Sequence, residues 1–160
     1  MPVEVIEERY PVRVTKYELR QDSGGPGKFR GGLGVEKHWK ALADLNIVSV
    51  VERTKDAPFG LFGGGQGKPN IAILHPGTPE EKRIGKVVSY KMAAGEEWHM
   101  ITGGAGGWGN RYERDPRAVL NDVVKGYVSL ESAKLDYGVA IKLVGDELIL
   151  DEAETLRLRQ

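Results

Sequence analysis

A chain of 160 residues with 40% hydrophobic and 29% charged residues has an ordinary globular composition and is long enough to bury one core. Its 23 basic and 23 acidic residues cancel, so no net field draws it to nucleic acid or to anionic lipid. No apolar run approaches the ~18 residues of a membrane span, "MPVEVIEERY" is no signal peptide, and the absence of cysteine excludes disulfides, thiolate zinc sites and a cysteine nucleophile.

From the N-terminus, "VRVTKYELR" alternates Val12, Val14, Tyr17 and Leu19 with polar residues, and the phase slips near Lys16. That predicts a half-buried strand with a bulge. "LNIVSVVER" places Ile47, Val48, Val50 and Val51 in a short apolar run, read as a strand with both faces partly covered. Pro76-Gly77-Thr78-Pro79 reads as a turn that pairs residues 70–75 with 82–90 as a hairpin, and "EEWHMI" adds a further strand. Between these runs glycine is concentrated: six residues from Gly24 to Gly34, five from Gly60 to Gly67 and five from Gly103 to Gly109, out of 22. Such density is costly inside a strand or helix, so the clusters read as loops or tight turns.

The last third is helical. Asp115 is placed to cap a helix with Pro116 at its first position, and Val119, Leu120, Val123 and Val124 form an apolar stripe that ends at Gly126. Ser129 caps a second helix carrying Ala133, Leu135 and Tyr137, which ends at Gly138. "VAIKLVGDELILDEAETLRLRQ" then reads as a strand, a Gly-Asp turn, a returning strand and a final helix capped by Asp151. The expected fold class is therefore α+β, mostly β. It comprises a sandwich- or barrel-like β body with glycine-rich loops (about 10–101), a helical pair (about 115–137), and a terminal hairpin and short helix (139–160), all in a single domain spanning 1–160.

Familiar site motifs are absent. The helical pair is no DNA reader, because "LESAKLDYG" sets one lysine against Glu131 and Asp136 where a recognition helix needs basic and amide side chains. "GAGGWG" (104–109) satisfies G-x-G-x-x-G but runs into "NRYERDP" before any helix begins, and position 129 is a serine where the ribose-binding acid belongs. "GGGQGKP" (63–69) follows its lysine with Pro69 where a phosphate loop needs Ser or Thr. His38, His75 and His99 lack ligand spacing, so a metal site would need distant histidines to converge, and no G-x-S-x-G elbow exists.

Four blocks taken in order do resemble a known family. "SGGPGKFRGGLGVEKHW" (23–39), "APFGLFGGGQGKPN" (57–70), "TGGAGGWGNRYERDP" (102–116) and "VVKGYVSLESAKLDYGVAI" (123–141) are similar to the C-terminal part of the hydantoinase B family. That family comprises B subunits of ATP-dependent N-methylhydantoinases, the corresponding half of 5-oxoprolinases, and large subunits of acetone and acetophenone carboxylases. The resemblance runs from about residue 12 to the end. It departs at Asn110-Arg111-Tyr112, where an Asp-Pro often follows the glycine block.

The resemblance implies a small subunit, or a fragment, that completes the B-type subunit of a cytoplasmic complex. Its partners would be a larger B-type chain and a nucleotide-binding A-type subunit, with no nucleic acid or membrane involved. ATP and a divalent metal would be bound elsewhere in the complex, since the family's metal ligands lie in the portion this chain lacks, and no metal ligand is assigned here. The A-type partner would phosphorylate a carbonyl or amide oxygen for hydrolysis or carboxylation, with the split form leaning towards carboxylases. The alternative is a stand-alone ligand-binding or interaction module. Candidate residues for positioning a substrate or anion are Arg30, Gly31 and Gly32 with Gly104, Gly106, Gly107 and Trp108. The competing and favoured role for them is a conformational lock, with Arg30 bonded to backbone carbonyls or a carboxylate.

Overall fold

A computed structural model describes residues 2–160. Its contacts divide the chain into two compact units where the sequence reading expects one domain. The first comprises Met1–Leu19, Val35–Asp56 and Pro69–Thr102; the second comprises Arg20–Gly34, Ala57–Lys68 and Gly103–Gln160. The chain is α+β and mostly sheet, with antiparallel strands and four α-helices among the described residues.

The first unit begins with a short helix that the sequence reading missed, α1 (Val3–Arg9). Seven strands follow: β1 (Val12–Leu19), β2 (Val35–Ala41), β3 (Leu45–Val50), β4 (Ile71–Leu74), β5 (Lys82–Ile84), β6 (Lys86–Met92) and β7 (Glu97–Ile101). Five form one sheet in the order β1-β2-β7-β4-β5, and β3 with β6 makes a two-stranded ribbon. The slip near Lys16 is a bulge. Val14 faces Trp39, the next pair is Lys16 with His38, and Thr15 is the extra residue. The bulge moves Lys16 to the opposite face from Val14, where its ammonium lies 3.0 Å from Glu36 and 2.8 Å from Glu18.

Two expectations change here. Residues 70–75 and 82–90 do not form one hairpin: of the second stretch only the three residues of β5 pair with β4, and beyond Gly85 the chain leaves to pair with β3. The Gly85 carbonyl accepts from the Val51 N–H and the Ser49 hydroxyl, which fixes the crossing point. The run around Val48 is not covered on both faces either. Val51 is buried, while Val48 and Val50 are 69% and 70% exposed, because β3 belongs to a ribbon of only two strands.

On the central strands, register stacks like on like. His38 faces His99 with ring centroids 3.4 Å apart, and on the other side of the sheet Trp39 faces Trp98 at 5.0 Å. His38 Nε2 is 2.8 Å from Glu36 Oε1. Burial, followed by the neighbouring His38, holds the His99 pKa below the ordinary histidine value.

In the second unit the helical predictions stand. A 3-10 turn (Arg111–Glu113) leads to α2 (Pro116–Val124), α3 (Leu130–Tyr137), strands β8 (Ile141–Val144) and β9 (Glu147–Leu150), and α4 (Glu152–Leu158). The side chains of Asp115, Ser129 and Asp151 accept the N–H groups of Arg117, Ser132 and Glu154, capping the three helices as expected. Gly138 closes α3 in a left-handed conformation with φ 60°. Val119, Val123, Val128, Ala133, Tyr137 and Val139 form the apolar core, packed against Ile141, Leu148 and Leu150. No described helix is long and apolar enough to cross a membrane.

The histidine stack makes the first unit acid-sensitive. Because His99 titrates lower when folded, the unfolded chain takes up its proton first. Stability is therefore complete above about pH 6.5 and is lost as the pH falls from there through the lowered folded value. Thermal unfolding between pH 5 and 8 should show this loss, and His99→Gln should flatten it.

Candidate functional site

The three glycine clusters are irregular segments, as expected, but they are bonded to one another within the second unit. Each makes hydrogen bonds to another cluster, and the first two also bond within themselves. Gly25 and Gly31 illustrate the first, the Gly25 N–H donating to the Ala105 carbonyl at 2.8 Å and the Gly31 N–H to the Gly25 carbonyl at 2.9 Å. Gly65 donates to Pro26 at 2.6 Å, Gly107 donates to Gly65 at 2.9 Å, and Leu61 donates to Gly107 at 2.9 Å. Phe29 and Trp108 exchange two bonds of 3.0 Å. Three segments distant in sequence thus form a lattice in which backbone packs on backbone.

Such packing leaves no room for side chains. A Cβ on Gly104 would fall on the Ser23 carbonyl, one on Gly106 on the Phe59 carbonyl, and one on Gly31 on the Ala105 carbonyl. Gly32 differs, since a Cβ there meets nothing within 4 Å.

Arg30 projects from this lattice to α2. Its Nε donates to Asp122 Oδ2 at 3.1 Å, its Nη1 to the Gly31 carbonyl at 2.8 Å, and its guanidinium lies 5.5 Å from the Tyr127 ring centroid. Arg114 donates to the same Asp122 oxygen at 2.8 Å and to the Lys28 carbonyl at 3.1 Å. Asp122 is buried, with 7% of its side chain exposed, and both arginines are at 15%. Two guanidiniums on one buried carboxylate tie the first glycine segment, the Arg-Asp-Pro turn and α2 together. Tyr137 is fully buried nearby, and burial pushes its hydroxyl pKa up to about 12.

The predicted site residues therefore gather in one unit. Gly31, Gly32, Gly104, Gly106 and Gly107 lie in the lattice, Trp108 pairs with Phe29 at its margin, and Arg30 forms the ion pair. The N–H groups of Gly31 and Gly107 and three contacts of Arg30 are engaged within the fold. Sequence reasoning missed Asp122, Arg114 and Tyr127. Asp122 carried a signal: an acid three residues after Val119 and beside Val123 lies on the buried face of an amphipathic helix, where a charge needs a partner.

Beside the lattice lies a polar cleft of about 420 Å³, lined by Gly24, Gly65 and Lys68, by Ser129 at the cap of α3, and by Ser132 and Asp136 within α3. Among the described residues no three His, Asp or Glu side chains converge to hold a metal ion. His38 and His99 do come together, as a stacked pair, while His75 bonds the Tyr90 hydroxyl at 2.7 Å.

Comparison with known proteins gives the family. The profile described as Hydantoinase B/oxoprolinase matches residues 1–111. The chain belongs to the hydantoinase B family. It is 34% identical to the B subunit of a putative D-/L-hydantoinase from a Pseudomonas species, over 99% of this chain and 27% of that one. The crystal structure of the ATP-dependent caprolactamase from Pseudomonas jessenii superposes with a TM-score of 0.83 at 31% identity, covering 99% of this chain and 28% of that chain. A nucleotide-free acetone carboxylase structure shares the fold, with a TM-score of 0.80 at 22% identity over 99% of this chain and 26% of that one. The chain thus spans only about 27–28% of the length of the curated relatives it matches along nearly its whole length.

Two substitutions test the lattice. Gly104→Ala should prevent folding of the second unit or cost several kcal/mol, since backbone must move to admit the methyl. Gly32→Ala should be neutral or stabilise by up to about 1 kcal/mol, as read by chemical denaturation. Asp122→Ala leaves two guanidiniums without their carboxylate and should cost about 3–5 kcal/mol, measured the same way.

Proposed function

We propose that this chain completes the B-type subunit of an ATP-dependent enzyme acting on cyclic amides, together with a larger B-type chain and a nucleotide-binding A-type partner. The observation that carries the proposal is the coverage. Nearly the whole chain matches about one quarter of much longer hydantoinase B proteins, and it does so in both sequence and fold. The relatives above 30% identity include a putative hydantoinase and a caprolactamase, which supports amide hydrolysis over carboxylation and reverses the slight preference drawn from the sequence.

In this reading the A-type partner phosphorylates the amide oxygen, which makes the amide carbon electrophilic enough for water to add. In the B-type assembly the C–N bond then breaks, the amine leaves with a proton, and water hydrolyses the resulting acyl phosphate to carboxylate and phosphate. ATP and the divalent metal are held by the rest of the complex. The contribution of this chain is architectural. The Arg30–Asp122–Arg114 triad holds α2 on the glycine lattice, and the lattice presents a rigid margin to its neighbours. The polar cleft of about 420 Å³ favours a second reading, a ligand-binding module that works alone.

Co-expression with a larger B-type chain and an A-type chain from the same source should yield a complex of fixed stoichiometry. ATP-dependent opening of caprolactam, 5-oxoproline or a hydantoin should then require all three chains. Unchanged lactam opening when this chain is omitted would refute the assembly role. Carboxylation of acetone in place of lactam opening would reassign the reaction.

A further inference from the structure

The margin of the glycine lattice carries an apolar face that the described residues leave open. Phe29, Phe62 and Trp108 are 60%, 77% and 46% exposed, and Leu61 beside them is 51% exposed. Trp108 lies in the middle, its ring centroid 5.5 Å from Phe29 and 5.4 Å from Phe62. Together the four side chains present on the order of 400 Å², taking roughly 200 Å² for a fully exposed aromatic, an area within the range of the largest apolar patch on an ordinary monomer, which is often functional.

Three features distinguish this face from scattered surface hydrophobics. Its residues come from all three glycine segments and are held by paired backbone bonds, Phe29 with Trp108 and Leu61 with Gly107 and Gly109, so little ordering remains to be lost on binding. Phe62 has a left-handed backbone, φ 51°, in a segment where three glycines follow that would take that conformation without strain. A bulky residue there is an outlier held against its own backbone preference, which is expected where the ring is required outside the fold. Next to Phe29 in the chain, Lys28 forms an exposed ion pair with Glu113 at 3.1 Å, a polar neighbour to the aromatic face.

We infer that this face is the docking site for the longer B-type chain, the part of a hydantoinase B protein to which this chain does not align. The inference rests on the reading under Proposed function. It commits to that occupant because the matched relatives carry nearly three quarters of their length outside the region this chain matches.

The test is affinity between this chain and the longer B-type chain from the same source, with Phe62→Asn as the principal variant and Val88→Thr as the control. Asparagine tolerates the left-handed backbone, so Phe62→Asn should keep or raise the melting temperature while weakening binding roughly 30-fold or more, as a lost aromatic hot spot does. Val88→Thr alters an equally exposed apolar residue of the β3–β6 ribbon and should leave affinity unchanged. If Phe62→Asn lowers the melting temperature, Phe29→Ser provides the same readout through a second exposed ring. Wild-type affinity in both ring variants would overturn the docking face and leave the assembly role intact. No binding by the wild-type chain would remove both. A homodimer broken by Phe62→Asn that excludes the longer chain would make a second copy the occupant and overturn the inference.

Discussion

The second unit depends on one exclusion: where backbone meets backbone in the glycine lattice, there is no space for a Cβ. The Ser23, Phe59 and Ala105 carbonyls occupy the positions that side chains on Gly104, Gly106 and Gly31 would need. Glycine loses more conformational freedom on folding than any other residue, roughly 0.5–1 kcal/mol each relative to alanine. Dense inter-segment hydrogen bonding offsets that cost, because each bond replaces one that water would otherwise make to a buried polar group. The same exclusion explains why Arg30, Phe29 and Trp108 hold fixed positions, since each is anchored in a segment that cannot shift without collision.

The triad around Asp122 extends this rigidity to the helices. A lattice made of backbone has few side chains with which to grip its neighbours. Arg30 reaches out from it, Arg114 reaches from the Arg-Asp-Pro turn, and both converge on a buried carboxylate of α2. The surplus positive charge lies against the Tyr127 ring and near the buried Tyr137. Charge is thus confined to a few contacts on one carboxylate, and the Arg114 Nε is buried without a hydrogen-bond partner. The apolar core of the same unit packs against the same buried face of α2, through Val119 and Val123 with Ala133 and Val139.

Local chemistry was readable from the sequence, and long-range pairing was not. Asp115, Ser129 and Asp151 announce helix starts, Gly126 and Gly138 announce stops, and the phase slip at Lys16 announces a bulge, because each signal is complete within a few residues. The glycine clusters carry no side-chain periodicity, so nothing local distinguishes a loop from a lattice whose partners lie some 35–80 residues away. The departure of β6 at Gly85 and the exposure of Val48 and Val50 were hidden for the same reason: they depend on which strand lies alongside. Family membership was legible because four glycine blocks in order are far more specific than any one of them.

The order of segments along the chain has a kinetic consequence. Two of the three lattice segments, 20–34 and 57–68, are made before the third, and the strands of the first unit separate all three. Until residues 103–109 emerge, the carbonyls of Ser23 and Pro26 have only the Lys68 and Gly65 N–H groups of the second segment, and lack the close backbone of Gly104 and Gly107. The second unit must therefore close two long loops, residues 35–56 and 69–102, before its three segments can pair. Across those loops the glycines offer only backbone to one another, and the rings of Phe29, Phe62 and Trp108 are the side chains that meet between segments.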